Sequence, residues 1–231
     1  MISLETPNFN ERKTNVVDMI VLHYTGTESL NDAITRLCRK KYEVSAHYLV
    51  AKNGDIYQMV AEEYRAWHAG VSYWRGETDI NSRSIGIEIE NKGHDYGYED
   101  YPDIQIASIV GLCKNLIEKY GIKPLNIVGH SDIAPSRKKD PGEKFPWRLL
   151  AMNGIGVYPS ADELIAVSDG FDWAKTLNAI GYDISDIDNA VVAFKRHYVQ
   201  TDISAEPSAF TQKTIYAVSR FMETTAVVSA T

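Results

Sequence analysis

The sequence predicts an α/β protein: a central mixed β-sheet flanked by helices over residues 1–152, a linker at 153–166, and a small three-helix C-terminal domain at 167–231. Three observations carry this reading. Apolar, β-branched runs alternate with segments of helical period as far as residue 150, the order expected of a sheet with helices packed on it. An Asn-Gly pair lies between two short apolar runs, which is a strong hairpin signal. Beyond Pro159 three helix-like patches follow, each with a single apolar face, as a small bundle requires.

The elements follow in order. Residues 16–24 are rich in β-branched and apolar side chains and read as a strand that delivers His23 at its end. Residues 30–40 place Leu30, Ile34 and Leu37 on one helical face. Residues 46–51 and 55–60 flank Lys52-Asn53-Gly54 as a hairpin. In 84–91, Ile85, Ile87 and Ile89 point one way and Gly86, Glu88 and Glu90 the other. Residues 104–120 carry Ile106, Ile109, Cys113, Leu116, Ile117 and Tyr120 at helical spacing, with Asp103 placed to cap that helix and Gly121 to end it. A strand at 125–128 leads into a loop containing His130. After the turn-prone stretch 153–159, the three helical patches centre on Trp173, Leu177 and Ile180, then Ile187, Val191, Phe194 and Tyr198, then Ile215, Val218 and Met222.

Composition narrows the function classes. With 231 residues, 44% hydrophobic and 24% charged, the chain has ordinary globular composition and enough apolar material for a core without staples. A net charge of −7 argues against nucleic acid or an anionic membrane as partner, since both require a basic face. No apolar run reaches the length needed to cross a bilayer. Cys38 and Cys113 each fall in a helical pattern and read as buried thiols rather than a disulfide. Residues 1–14 are polar, without the basic-then-apolar layout of a secretory leader, so export by the usual route is not expected. Nothing in the sequence indicates the oligomeric state.

The stretch Gly129-His130-Ser131-Asp132-Ile133-Ala134-Pro135-Ser136-Arg137-Lys138-Lys139-Asp140-Pro141-Gly142 is the most informative. It sets an imidazole, cations and a carboxylate in one loop after a strand. Imidazole and carboxylate are zinc ligands, and a lysine beside such an ion stabilises developing negative charge. On chemistry alone, capping and surface roles explain such a loop equally well.

The wording of the loop resembles the closing motif of the zinc-dependent N-acetylmuramoyl-L-alanine amidases of the AmpD/AmiD type. The resemblance extends through Ile20-Val21-Leu22-His23-Tyr24-Thr25, Val44-Ser45-Ala46-His47-Tyr48-Leu49-Val50, Arg65-Ala66-Trp67-His68-Ala69-Gly70-Val71 and Asn81-Ser82-Arg83-Ser84-Ile85-Gly86-Ile87-Glu88-Ile89-Glu90-Asn91. It implies one Zn2+ bound by His23, His130 and Asp140, with Glu88 as the acid/base on the attacking water and Lys138 on the oxyanion. The implied reaction is hydrolysis of the amide between N-acetylmuramic acid and L-alanine, in peptidoglycan or (anhydro)muropeptide substrates. Glu90 shares the face of Glu88, and Lys139 adjoins Lys138, so each is the nearest rival. Where many relatives carry a catalytic tyrosine before the histidine matching His47, this chain has Ala46, which places the proton transfer on Glu88.

The resemblance also makes Tyr24, His47, Trp67, His68, Ala69 and Gly70 candidates for substrate binding. Trp67 fits a groove wall and a core position equally, and His47 fits a core role as well. Arg75 and Arg83 are weaker candidates for stem-peptide carboxylates. His94 and His197 read as surface histidines. Gly181-Tyr182-Asp183-Ile184 and residues 190–198 resemble, more loosely, a peptidoglycan-binding domain, against the alternative of a helical tail packed on the catalytic unit. That second resemblance points to the periplasm or cell envelope, which is the preferred expectation, whereas the missing leader points to the cytoplasm as the alternative. The alternative function is a non-catalytic peptidoglycan-recognition module, which would lack a metal ligand. A glycosidase would need a carboxylate pair across a cleft, and Glu88 with Glu90 does not supply one.

Overall fold

The computed structural model describes residues 1–227, with side chains described through residue 222. The expected C-terminal domain therefore ends outside the described residues. Helix α1 (Leu30–Cys38), the single turn α2 (Ile80–Arg83), α3 (Asp103–Tyr120), the short helices α4 (His130–Ile133) and α5 (Trp147–Met152) and three C-terminal helices accompany a six-stranded sheet. In sheet order the strands are β1 (Ile2–Ser3), β5 (Ile56–Gln58), β4 (Tyr48–Val50), β7 (Ser84–Ile89), β3 (Met19–Tyr24) and β8 (Ile127–Gly129). β7 is parallel to β3 and β4, β3 to β8 and β1 to β5; only β4 and β5 run antiparallel. The sheet is mixed, as expected.

That antiparallel pair is the hairpin expected at Lys52-Asn53-Gly54. Gly54 takes a left-handed φ of 87°, and Asn53 Oδ1 accepts the Asp55 N–H at 3.0 Å. A separate ribbon pairs β2 (Phe9–Glu11) with β6 (Tyr64–Ala66). β1, β2 and β6 are two or three residues long and lie in no apolar run or turn signal of the kind that marked the equally short β4, β5 and β8, so the sequence did not disclose them.

Period-2 alternation divides the sheet into two faces. Ile20 and Leu22 of β3 and Ile85, Ile87 and Ile89 of β7 pack with Ile106, Ile109, Cys113 and Leu116 of α3 in one core. Burying each such side chain stabilises the fold by about 1.5–3 kcal/mol. Met19 and Val21 point the other way. They join a second core with helices α6 (Trp173–Ile180), α7 (Ile187–Tyr198) and α8 (Ala209–Val227), through Leu177, Ile180, Val191, Phe194, Ile215 and Val218. The three expected helices are present, and they share this core with the sheet. Within 153–166, Ile155 and Val157 are buried, one in each core.

Two helix ends differ from expectation. Pro102 is the N-cap of α3, and Asp103 is its first residue rather than the cap. Asp103 still favours the helix by placing negative charge in the first turn. Gly121 closes the helix in left-handed conformation at φ 63°, donating to Ile117 O at 2.8 Å. Helix α1 stops at Cys38 and gives way to a single 3-10 turn, Lys40–Tyr42. Both cysteines are free thiols.

Candidate metal centre and active site

His23 follows Met19 and Val21 on the face of β3 opposite the α3 core, and lies one residue short of the strand's end. His130 opens a one-turn helix, α4 (His130–Ile133), directly after β8. Because β3 lies beside β8, the two imidazoles arrive at the same sheet end. Asp140 is drawn back to them by its carbonyl, which accepts the Ser131 N–H at 2.9 Å.

The three side chains converge. His23 Nδ1 and His130 Nδ1 are 2.9 Å apart, and each lies 3.0 Å from Asp140 Oδ2. They form the one cluster of this kind among the described residues, and all three are buried.

Hydrogen bonding fixes which atoms face inward. Ser84 Oγ donates its only proton to Ile80 O at 2.7 Å, so toward His68 Nε2, 3.2 Å away, it accepts. His68 therefore carries its proton on Nε2 and accepts through Nδ1 from His23 Nε2 at 3.0 Å. His130 Nε2 donates to Ala69 O at 3.0 Å. Both Nδ1 atoms are then bare lone pairs aimed at each other and at a carboxylate oxygen. Three acceptors at this spacing repel unless a cation lies between them. The edges are close to the roughly 3.3 Å implied by a tetrahedral ion with ligand bonds of about 2.0–2.1 Å.

The electrostatics agree. Burial, then the neighbouring His130, lower the His23 imidazole to about 4, against an opposing pull from Asp140, so it stays neutral and ligand-ready. For Asp140, burial works upward, and what holds the carboxylate well below its ordinary range is positive charge on the imidazole side of the site, which two bare nitrogens do not carry and a cation between them would.

His130 and Asp140 open onto a cavity of about 300 Å³ whose walls include Tyr24, Trp67, His68, Glu88 and Lys138. Glu88 stands opposite His23 in the β3–β7 register. Its Oε2 is buried without a hydrogen-bond partner among the described residues. Burial, then the Asp140 charge, push its carboxyl up to about 8, with Lys138 and Arg36 pulling the other way. Glu90 turns aside and accepts the Lys52 N–H at 2.9 Å. Lys138 and Lys139 both line the cavity.

Tyr24 walls the cavity, with its hydroxyl 2.9 Å from His94 Nδ1. Trp67 reaches the cavity edge and donates Nε1 to Asn10 Oδ1 at 2.6 Å. His68 has a dual place, lining the cavity while orienting His23. Three other candidates stand apart from the cavity walls. His47 is fully buried, its Nδ1 accepting the Gly86 N–H at 3.0 Å and its Nε2 facing Tyr64 O. Ala69 is buried and serves through its carbonyl, the acceptor for His130. Gly70, at φ 60°, packs toward the Arg137 guanidinium.

Other expectations fail on geometry. Arg75 donates Nε to Ile180 O at 2.7 Å, and Arg83 is paired with Asp18 and Glu77, so neither faces the cavity. Arg36 and Arg137 do line it. Arg36 escaped notice because a charged residue on an exposed helix turn carries no signal until the helix is placed. Neither His94 nor His197 is a surface residue. His94 is half-buried between Tyr24 and Glu143. His197 is 2% exposed, and its Nδ1 lies 2.8 Å from Asp132 Oδ2.

The family model described as N-acetylmuramoyl-L-alanine amidase matches residues 13–143 of this chain. N-acetylmuramoyl-L-alanine amidase AmiD of Escherichia coli is 37% identical over 223 residues, covering 85% of this chain and 80% of the relative. The 1,6-anhydro-N-acetylmuramyl-L-alanine amidase AmpD of Enterobacter cloacae is 46% identical over 110 residues, 47% of this chain and 57% of the relative. Among solved structures, E. coli AmiD in complex with the substrate anhydro-N-acetylmuramic acid-L-Ala-D-gamma-Glu-L-Lys superposes with a TM-score of 0.77 at 34% identity, covering 91% of this chain and 96% of the other. Pseudomonas aeruginosa AmpDh3 gives 0.80 at 30% identity, covering 95% and 98%.

Proposed function

This chain belongs to the N-acetylmuramoyl-L-alanine amidase family and hydrolyses the amide bond between N-acetylmuramic acid and L-alanine, and we propose that it does so with zinc held by His23, His130 and Asp140. The observation that carries the metal is the pair of bare Nδ1 atoms turned on one carboxylate oxygen. Two imidazoles and a carboxylate match the donor set of a catalytic zinc site, which leaves a fourth position open. Zinc bound there supplies Lewis acidity toward the amide carbonyl and acidifies water.

The chain's own residues do the rest. Glu88 takes a proton from the attacking water and returns it to the departing alanine nitrogen. A carboxyl poised near neutrality suits both halves of that transfer. Lys138 faces the carbonyl oxygen as it gains negative charge. Tyr24 and Trp67 provide aromatic walls for sugar or peptide. Substrates are muropeptides, as in the AmiD and AmpDh3 complexes with anhydromuramyl peptides. We read residues 1–152 as the catalytic unit and residues 167–231 as a peptidoglycan-binding-like unit, on the sequence likeness of the 181–184 and 190–198 blocks to such domains.

Incubation of the zinc-replete protein with an anhydro-muropeptide, followed by mass analysis, is expected to yield the free lactyl sugar and the intact stem peptide. Tight binding of the muropeptide with neither stoichiometric zinc nor release of peptide would favour a recognition module instead.

A further inference from the structure

We propose that the C-terminal helices brace the metal loop, with His197 and Tyr182 as positioning residues that hold Asp132, and through it His130, in ligand geometry. The proposal rests on the zinc-site reading above. Asp132 sits two residues after His130 in the single turn of α4 and is 1% exposed. A buried carboxylate is tolerated only when its lone pairs are met by donors. Asp132 accepts from the Gly129 N–H at 2.7 Å, from Tyr182 Oη at 2.7 Å and from His197 Nδ1 at 2.8 Å. Two of those three donors come from the C-terminal region: Tyr182 follows α6, and His197 lies in α7.

The donors are themselves immobilised. The His197 ring stacks on Trp147 at 3.7 Å and on Tyr198 at 3.9 Å. Tyr182 is fully buried and meets Trp74 and Phe194 edge-on. The loop has no slack with which to compensate. A Cβ on Gly129 would fall 2.7 Å from Pro141 Cδ and 3.3 Å from Trp147. Ser131 N donates to Asp140 O, so a shift of α4 moves two ligands together. The face of β3 that bears His23 also continues into the core shared with α6–α8. On α7, Arg196 Nε lies 3.7 Å from Glu143 Oε2 and the His197 ring lies on Trp147, so this helix is engaged by residues of the catalytic body.

The test uses the full chain. His197→Ala should weaken zinc binding about tenfold or more, the usual scale for partners that orient ligands, as read by chelator competition. The ligand-field spectrum of the cobalt-substituted protein should change with it, and His197→Asn, which restores a donor near the Nδ1 position, should recover both. Tyr182→Phe removes only one hydroxyl and should move the same two readouts in the same direction; it decides the matter if His197→Ala does not fold. A purely structural role lowers the melting temperature but leaves zinc affinity and the cobalt spectrum of the folded variants at wild-type values, and that result overturns the brace. Failure of the wild type to bind zinc would instead overturn the metal-site reading and the brace with it.

Discussion

His23 Nε2 lies 3.0 Å from His68 Nδ1, and that bond leaves the opposite nitrogen of His23 bare toward His130 and Asp140. Burial above all holds His68 far below the ordinary histidine range, so it stays neutral and able to accept. His68→Ala should therefore weaken zinc binding by about 10–100-fold. Chelator competition on the folded variant measures this, and wild-type affinity would show that His23 needs no such partner.

Glu88→Gln should retain zinc while turnover falls by roughly two to four orders of magnitude. Metal analysis and turnover on an anhydro-muropeptide, measured on one preparation, separate the two effects.

The same residue sets a pH dependence of stability in the metal-free protein. Its carboxyl titrates near 8 in the fold against an ordinary 4.5. Folding thus favours the protonated form, and this stabilisation is complete below the ordinary value and lost as pH rises through about 8. Urea unfolding from about pH 5 to about pH 9 should show a decline that Glu88→Gln flattens. Identical slopes would mean that Glu88 is not the group responsible.

Arg36 lines the cavity from α1, and among the described residues no ion pair engages it. A muropeptide with a free D-Glu carboxylate offers it a partner. An exposed pair of this kind is worth about 1 kcal/mol, so Arg36→Gln should raise KM roughly fivefold at unchanged kcat. A substrate in which that carboxylate is amidated should not distinguish the variant from wild type. Equal effects on both substrates would rule out carboxylate recognition.

Two glycines should respond with opposite signs. A Cβ on Gly86 would lie 2.4 Å from the His68 ring, which is tied to His23 and Ser84. Gly86→Ala should cost about 1–3 kcal/mol and weaken zinc binding. Gly111 is exposed on α3 with nothing near its Cβ position, and Gly111→Ala should stabilise by about 0.5–1 kcal/mol. Denaturant midpoints test both.

Much of the site was legible in one dimension because strands announce their faces. The alternation in 84–91 set Glu88 apart from the isoleucines, and the loop from His130 to Asp140 is short enough to carry two ligands in one motif. Resemblance joined His23 to them across more than a hundred residues. Asp132, by contrast, was written inside the loop with nothing to mark it, and His197 gave the pattern of a surface residue. A hydrogen bond between distant residues has no periodicity, so no local signal exists for it.

The order of residues was enough to give the class of fold, the faces of the long strands and helices, and a set of residue types able to hold a metal. How the elements pack is what sets His68 against His23, buries His47 in the core, brings Arg36 rather than Arg75 or Arg83 to the cavity, and seats Tyr182 and His197 on Asp132. The reason is physical: a period fixes which way a side chain points from its own element, whereas its partner is set by how elements pack, and packing follows from the whole chain at once.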